Sequence, residues 1–239
     1  MKYNILVAND DSIESPLLKP LVEVLKDYAN DLLVVVPKTN QSACSQTIHV
    51  RNPINVYEEP DIIEGIKTYS VDGSPADCVK IARGVLKYDF DLIVSGINDG
   101  YNLADDICYS GTVGAASEAE FYEKKGIAIS IERDNISGLK YLKETLEYIL
   151  SSTVFKKASI LNVNIPPSSK GFKQTIQGKR RFNEIYIKTQ EGAYQSVKRQ
   201  SIDQTAPLFI VRDNDENSDY RVVEDGYISI TPISMDRTK

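Results

Sequence analysis

The chain has 239 residues, 41% of them hydrophobic and 26% charged, with a net charge of −6. That size and balance suit one large α/β domain, or a domain with a substantial extension, and the negative charge argues against non-specific DNA binding. Three widely spaced cysteines (Cys44, Cys78, Cys108) without a CxxC pair, and one histidine, His49, exclude a zinc knuckle, a redox motif and any mechanism that needs a histidine cluster.

Residues 4–8, NILVA, form a short apolar run ending at Asn9-Asp10-Asp11 and read as a buried strand. Pro16 fits a first helical turn, and LVEVLKDY carries apolar residues at Leu21, Val22, Val24 and Leu25; Pro20 allows the helix to start only there. Residues 32–36, LLVVV, are a second buried strand stopped by Pro37, a helix away from the first, the βαβ pattern of a parallel sheet. Residues 38–47 are polar and irregular. TIHV and INVYEE follow as two extended pieces broken by Asn52-Pro53, then a strand at 67–71, a helix opened by Pro75, and the clearest central strand, DLIVSGIN, at 91–98. A helix over 112–124, a strand GIAISIE, an amphipathic helix over 137–151 and a strand ILNVNIPP at 160–167 complete the alternation.

This order predicts a three-layer, Rossmann-like, doubly wound and mostly parallel sheet over residues 1–167. From 168 to 239 the character changes: Lys, Arg, Gln and Tyr dominate, DNDENSD at 213–219 is a polar loop, and GYISITPI is a late strand. This β-rich extension is too small for a core of its own and is expected to pack on the main sheet or a neighbouring subunit. The opening reaches Asp10 and Asp11 before a hydrophobic stretch of secretory length, and no apolar run approaches the ~20 residues of a membrane helix, so a cytoplasmic protein is expected.

Ligands of an open parallel sheet collect at the carboxyl ends of its strands. Three polar loops sit there: Asn9–Ser12, Asn40–Ser45 and Ser95–Asn102. One Asp at a strand–helix turn reads as a helix cap. Two adjacent carboxylates, Asp10 and Asp11, repel each other unless a cation joins them, and hard oxygen donors suit Mg²⁺ or Mn²⁺. Ser42 and Asn98 are ordinary loop formers taken singly, and gain weight as neutral oxygens completing such a site. Ser110-Gly111-Thr112 precedes a small-residue helix, where free N–H groups and the positive helix end make either a phosphate cradle or a plain Ser/Thr cap. No Walker A motif and no GxGxxG after a strand is present, which argues against an ATPase and a dinucleotide enzyme. Glu118 and Glu120 read as solvated or paired, Lys179-Arg180-Arg181 as an exposed face, His49 as a surface or interface residue, and the cysteines as inert substitutes for small core residues.

Taken together, NDDS with Pro16, VVVPKTNQSACS, VDGSPADCVKIA, SGINDGYNLADDICYSGTVGAASEA, LNVNIPP and GYISITPI resemble the motif set of the SurE survival-protein family of 5′-nucleotidases, over residues 4 to 233. The resemblance implies metal ligation by Asp10, Asp11, Ser42 and Asn98, with one divalent ion per subunit. It implies phosphate contacts from Asn102, Ser110, Gly111 and Thr112, and a dimer or tetramer built by exchange of C-terminal segments. Nucleoside 5′- or 3′-monophosphates are the implied substrates, and some members also cut short polyphosphate. Metal-assisted hydrolysis follows, with Asp10 or Asp11 orienting the water. Three positions depart from the family pattern: Ser12, Leu17 and Ala43 stand where it has glycine. A serine held at positive φ costs on the order of 1 kcal/mol, and these departures motivate a rival reading, a nucleotide-binding regulatory protein with lost turnover.

Overall fold

The structure, a computed structural model, describes residues 2–212, 214–236 and 238. The chain alternates strand and helix as β1 (Tyr3–Ala8), α1 (Leu18–Leu25), β2 (Ala29–Pro37), β3 (Val56–Glu59), β4 (Thr68–Val71), α2 (Pro75–Gly84), β5 (Leu92–Asp99), α3 (Gly111–Phe121), β6 (Lys125–Ile131), α4 (Leu142–Ser151), α5 (Thr153–Lys157) and β7 (Ile160–Ile165). After it come β8 (Phe172–Gln174), β9 (Arg180–Phe182), β10 (Glu184–Gln190), β11 (Ala193–Lys198), β12 (Phe209–Arg212), α6 (Asp219–Glu224) and β13 (Ile228–Ile233). The main sheet has the order β3-β4-β2-β1-β5-β6-β7-β13-β8. Its pairings are parallel except β3 with β4 and β13 with β7.

The three layers follow from strand periodicity, which sends successive side chains to opposite faces. Ile5 and Val7 join α1 and α4 in one cluster with Leu18, Leu21, Leu142 and Leu146. Leu6 and Ala8 face the other way, onto Cys78, Val79 and Ala82 of α2 and Ala115 and Ala119 of α3. The small residues of α3 let it lie close to the sheet, and at Gly126 of β6 any Cβ would be driven into the carbonyl oxygen of Ala116. The strand order reverses beside β1, with β2 on one side and β5 on the other, and this switch point opens the crevice in which the polar loops meet.

Several boundaries differ from the sequence expectation. The first helix begins at Leu18 and accommodates Pro20 in its first turn, where no intrahelical N–H bond is lost. Residues 136–141 are 3-10 rather than α-helix, started by Asn135 accepting from the Ser137 N–H; Ser137-Gly138 is a weak helix-forming pair. Residues 47–50 form no strand, because that backbone is committed to the start of α2: Ser74 Oγ donates to the Thr47 carbonyl and the His49 N–H to Asp77. The stretch after Pro167 is divided. β8 and β13 enlarge the main sheet, while β10–β11 and β9–β12 form separate two-stranded pairs. Of the polar run 213–219, Asp213 lies outside the described residues and Asp219 already opens α6.

Candidate active site

Asp10 and Asp11 leave the end of β1 in two directions. Asp10 is 4% exposed, and its Oδ1 accepts from Thr112 Oγ1 at 2.6 Å, across 102 residues of sequence. Burial pushes its carboxyl up to about 6; the Thr112 hydroxyl opposes that rise and the charge of Asp11 adds to it. Asp11 turns toward the neighbouring loops: Oδ2 accepts from the Asp99 N–H at 3.1 Å and Oδ1 from Asn40 Nδ2 at 3.3 Å. Burial raises its carboxyl as well. Asn9 is buried and holds the turn by donating Nδ2 to the Ser12 carbonyl at 2.8 Å. Ser12 and Ala43 sit at φ +78° and +59°, so two of the three departures from glycine fall where glycine is the unstrained residue.

The loop after β2 is folded onto the same point. The Gln41 N–H donates to the Asp10 carbonyl at 2.8 Å, and the Ser42 N–H donates to Asn40 Oδ1 at 3.0 Å. Ser42 thereby stands beside Asp11 through Asn40, exposed to solvent. Asn98 comes in from β5, one residue before the Asp99 N–H that binds Asp11. It spends its amide nitrogen on the Gly100 carbonyl at 2.6 Å, which leaves the side-chain carbonyl as its donor to a cation. Among the described residues no group of three or more His, Cys, Asp or Glu side chains could hold a metal. A cation here would be held by two carboxylates and neutral oxygens, a hard-donor set.

The start of α3 closes the crevice. Ser110 is its N-cap, with Oγ accepting from the Val113 N–H at 3.1 Å. The cap reading therefore holds for that hydroxyl, while the helix end still presents its first N–H groups. Gly111 is required by packing: a Cβ there would lie 2.8 Å from Cys44 Sγ and 2.9 Å from Asp10 Cβ. Asn102 is placed differently from the other candidates. Its Nδ2 donates to Ser130 Oγ at 2.9 Å, its N–H to Asn164 Oδ1 at 2.9 Å, and its carbonyl accepts from Asn162 Nδ2 at 2.8 Å. These bonds lock the loop after β5 onto β6 and β7.

Residues that sequence reasoning passed over complete the arrangement. Asn40 and Asp99 position Asp11 directly, and both lay inside loops whose polarity was legible. Cys44 is half-buried against Gly111, and burial, with the Asp10 charge adding, pushes its thiol up to about 11, so it lines the site as a neutral thiol. Of the three cysteines only Cys78 is a core residue; Cys108 is exposed, since it lies in the 3-10 turn leading to α3. His49 pairs through Nδ1 with Asp77 Oδ2 at 2.6 Å. Glu118 is buried, ion-paired to Lys80 at 2.8 Å and accepting from Gln46 at 2.7 Å. The basic run is not uniformly an exposed face: the Arg180 side chain is 12% exposed, because it pairs with Asp106 at 2.9 Å and lies over the rings of Phe182, Phe209 and Tyr220.

A doubly wound sheet with paired carboxylates and a glycine-opened helix end at its switch point defines an α/β protein suited to a phosphate-bearing ligand. The family model described as survival protein SurE matches residues 5–184. The chain is 37% identical to 5′-nucleotidase SurE of Caldanaerobacter subterraneus subsp. tengcongensis, covering 99% of this chain and 93% of that one. It is 34% identical to the 5′/3′-nucleotidase SurE of Wigglesworthia glossinidia brevipalpis, over 98% and 92% of the two chains. The crystal structure of SurE protein from Aquifex aeolicus matches with a TM-score of 0.79 at 33% identity, covering 99% of this chain and 95% of that one. The chain belongs to the SurE family.

Proposed function

We propose that this chain removes the phosphate from nucleoside 5′-monophosphates, and from 3′-monophosphates as a secondary substrate, using one divalent ion, Mg²⁺ or Mn²⁺, per subunit. As a relative of proteins named 5′-nucleotidase along nearly its whole length, it is a nucleotidase. Asp10, Asp11, Ser42 and Asn98 are the proposed ligands. Their fit rests on the donor set, all oxygen, and on the raised carboxyls of the adjacent aspartates, whose repulsion a cation removes. When bound, the ion supplies Lewis-acid polarisation of the phosphoryl group and acidifies water.

The remaining work falls to the chain itself. The N–H groups at the start of α3 bind the phosphoryl oxygens, with Gly111 leaving them room. Thr112 fixes the Asp10 carboxylate toward that helix end, so Asp10 is the residue proposed to orient the attacking water and take its proton. Asn102 acts by holding the loop after β5 in place. The carrying observation is the Asp10–Thr112 hydrogen bond, which brings the Asp10 carboxylate to the helix end.

The test is phosphate release from a panel of nucleoside monophosphates, and from tripolyphosphate, with Mn²⁺, Mg²⁺ or EDTA. Release should require the metal and disappear in Asp10→Asn. Wild-type rates in Asp10→Asn would overturn the ligand assignment. Nucleotide binding without release would instead make the chain a catalytically weak regulatory protein on the same fold. We further propose that the chain works as a homodimer or homotetramer joined through its C-terminal segments.

A further inference from the structure

Beside the carboxylate pair, on the opposite face of the sheet from α3, lies a cleft of about 660 Å³ that the phosphate chemistry leaves unused. Asp11, Ser12, Leu17, Lys38, Asn135 and Ile136 are among the residues that line it. The volume lies within the range of small-molecule sites, roughly 300–1,000 Å³. Because Asp10 faces α3 while Asp11 faces this cleft, a phosphate at the helix end has the ion site between itself and the cavity.

We propose that this cleft receives the uncharged nucleoside of the substrate, with Ile136 as the apolar platform for the base; the proposal rests on the nucleotidase reading. Ile136 is 68% exposed, an isoleucine held open to water at the mouth of a polar cleft by the Asn135 cap behind it. Covering it with a base would remove apolar surface from water on both sides. Charge selects the same occupant. Glu14, Asp99 and Asp134 line the cleft along with Asp11, against Lys38 in the lining and Arg133, whose charge acts on Asp11. Those carboxylates accept hydrogen bonds from sugar hydroxyls and repel further phosphates. A phosphate chain running into this cleft would meet like charge, so nucleoside monophosphates are favoured over polyphosphate. Ser12 and Leu17, two of the residues that stand where the family pattern has glycine, line this cleft.

The test is steady-state kinetics of Ile136→Asp and Ile136→Ala, with Mn²⁺, on nucleoside monophosphates, together with inhibition by inorganic phosphate. Ile136 is exposed, so both variants should fold. Ile136→Asp should raise KM about tenfold and Ile136→Ala about threefold, with kcat within twofold and the inhibition constant of phosphate unchanged. An unchanged KM, or a phosphate inhibition constant that rises in step with it, would overturn the proposal. If the wild-type protein releases no phosphate, the nucleotidase reading fails, and saturation-transfer NMR with free adenosine and uridine still decides the cleft. Nucleoside binding lost in Ile136→Asp supports it; binding retained there, or absent from the wild type, overturns it.

Discussion

At the residue scale, the proposed chemistry concentrates on Asp10. Its proton is held more tightly in the folded chain than at the ordinary value of 3.8, up to about 6. The associated stabilisation is complete below pH 3.8 and is lost as pH rises past 6. In EDTA at pH 7 the ionised Asp10 therefore destabilises the fold by on the order of 3 kcal/mol. Asp10→Asn should melt higher than wild type at pH 7 without metal and lose that advantage near pH 4. Saturating Mn²⁺ should reverse the order at pH 7, because only the wild type gains stability by binding. Thermal melts of both proteins across pH, with and without metal, check this; parallel curves would mean that Asp10 is not the strained carboxylate. Gly111 makes the complementary case. The Cβ of Gly111→Ala would press on Cys44 Sγ and on Asp10 Cβ. The thiol can swing aside, while the β-carbon sits on the backbone that positions the carboxylate. Gly111→Ala should lower kcat/KM at least a hundredfold, about 3 kcal/mol, and adding Cys44→Ala should recover only part of the loss.

At the element scale, the loop from Lys38 to Val50 carries Ser42 and is held partly by residues outside the proposed ligand set. Asp77 caps α2 in a reciprocal box with Ser74 and also accepts from the His49 N–H and pairs with its ring. Burial pushes the Asp77 carboxyl up, but the bonds from His49 and Ser74 outweigh it and hold the group below its ordinary value. Its stabilisation is thus present at neutral pH and lost in acid. Asp77→Ala should cost about 2 kcal/mol in urea unfolding and weaken Mn²⁺ binding several-fold by loosening the loop. Unchanged Mn²⁺ affinity in a destabilised Asp77→Ala would separate the loop from the site. This clamp shows where reading the sequence stops. Apolar runs such as LLVVV and DLIVSGIN were legible as buried strands because burial on both faces demands continuous hydrophobicity. The aspartates and the loops after β2 and β5 were legible because strand ends collect ligands. Thr47–Val50 looked extended because its β-branched residues favour strands. Its partners, Ser74 and Asp77, lie more than twenty residues away, and local pattern carries no trace of them. Likewise nothing local distinguished Ser110 as a cap from Ser110 as a phosphate ligand, or revealed that Asn102 bonds to Ser130 and Asn164.

At the scale of the whole molecule, the C-terminal third does two different things. β8 and β13 complete the main sheet, and together with α6 they bury Tyr220, Ile228 and Ile230. The pairs β10–β11 and β9–β12 belong to no larger sheet. They and the link between them leave Tyr186, Ile187, Tyr194, Ile202, Ile210 and Val211 exposed. A two-stranded ribbon is marginal in water by itself, and these exposed apolar side chains are what the proposed association between subunits would cover. The ribbon is tied back at its base, where Arg212 pairs with Glu224 of α6 and Arg180 pairs with Asp106, four residues before the cap of α3. The proposed subunit association through the ribbon would therefore bear on the helix end that is proposed to hold phosphate. Light scattering should find a dimer or tetramer in the wild type and a monomer in Tyr186→Asp/Ile210→Asp, whose exposed substitutions leave the main sheet untouched. The monomer should keep the proposed divalent-metal affinity, because Asp10, Asp11, Ser42 and Asn98 all lie at or just beyond the ends of strands of the main sheet. Its turnover should fall several-fold as the Arg180–Asp106 tether loosens. A wild type that is monomeric at micromolar concentration, or a double variant that still associates, would remove the ribbon from the assembly.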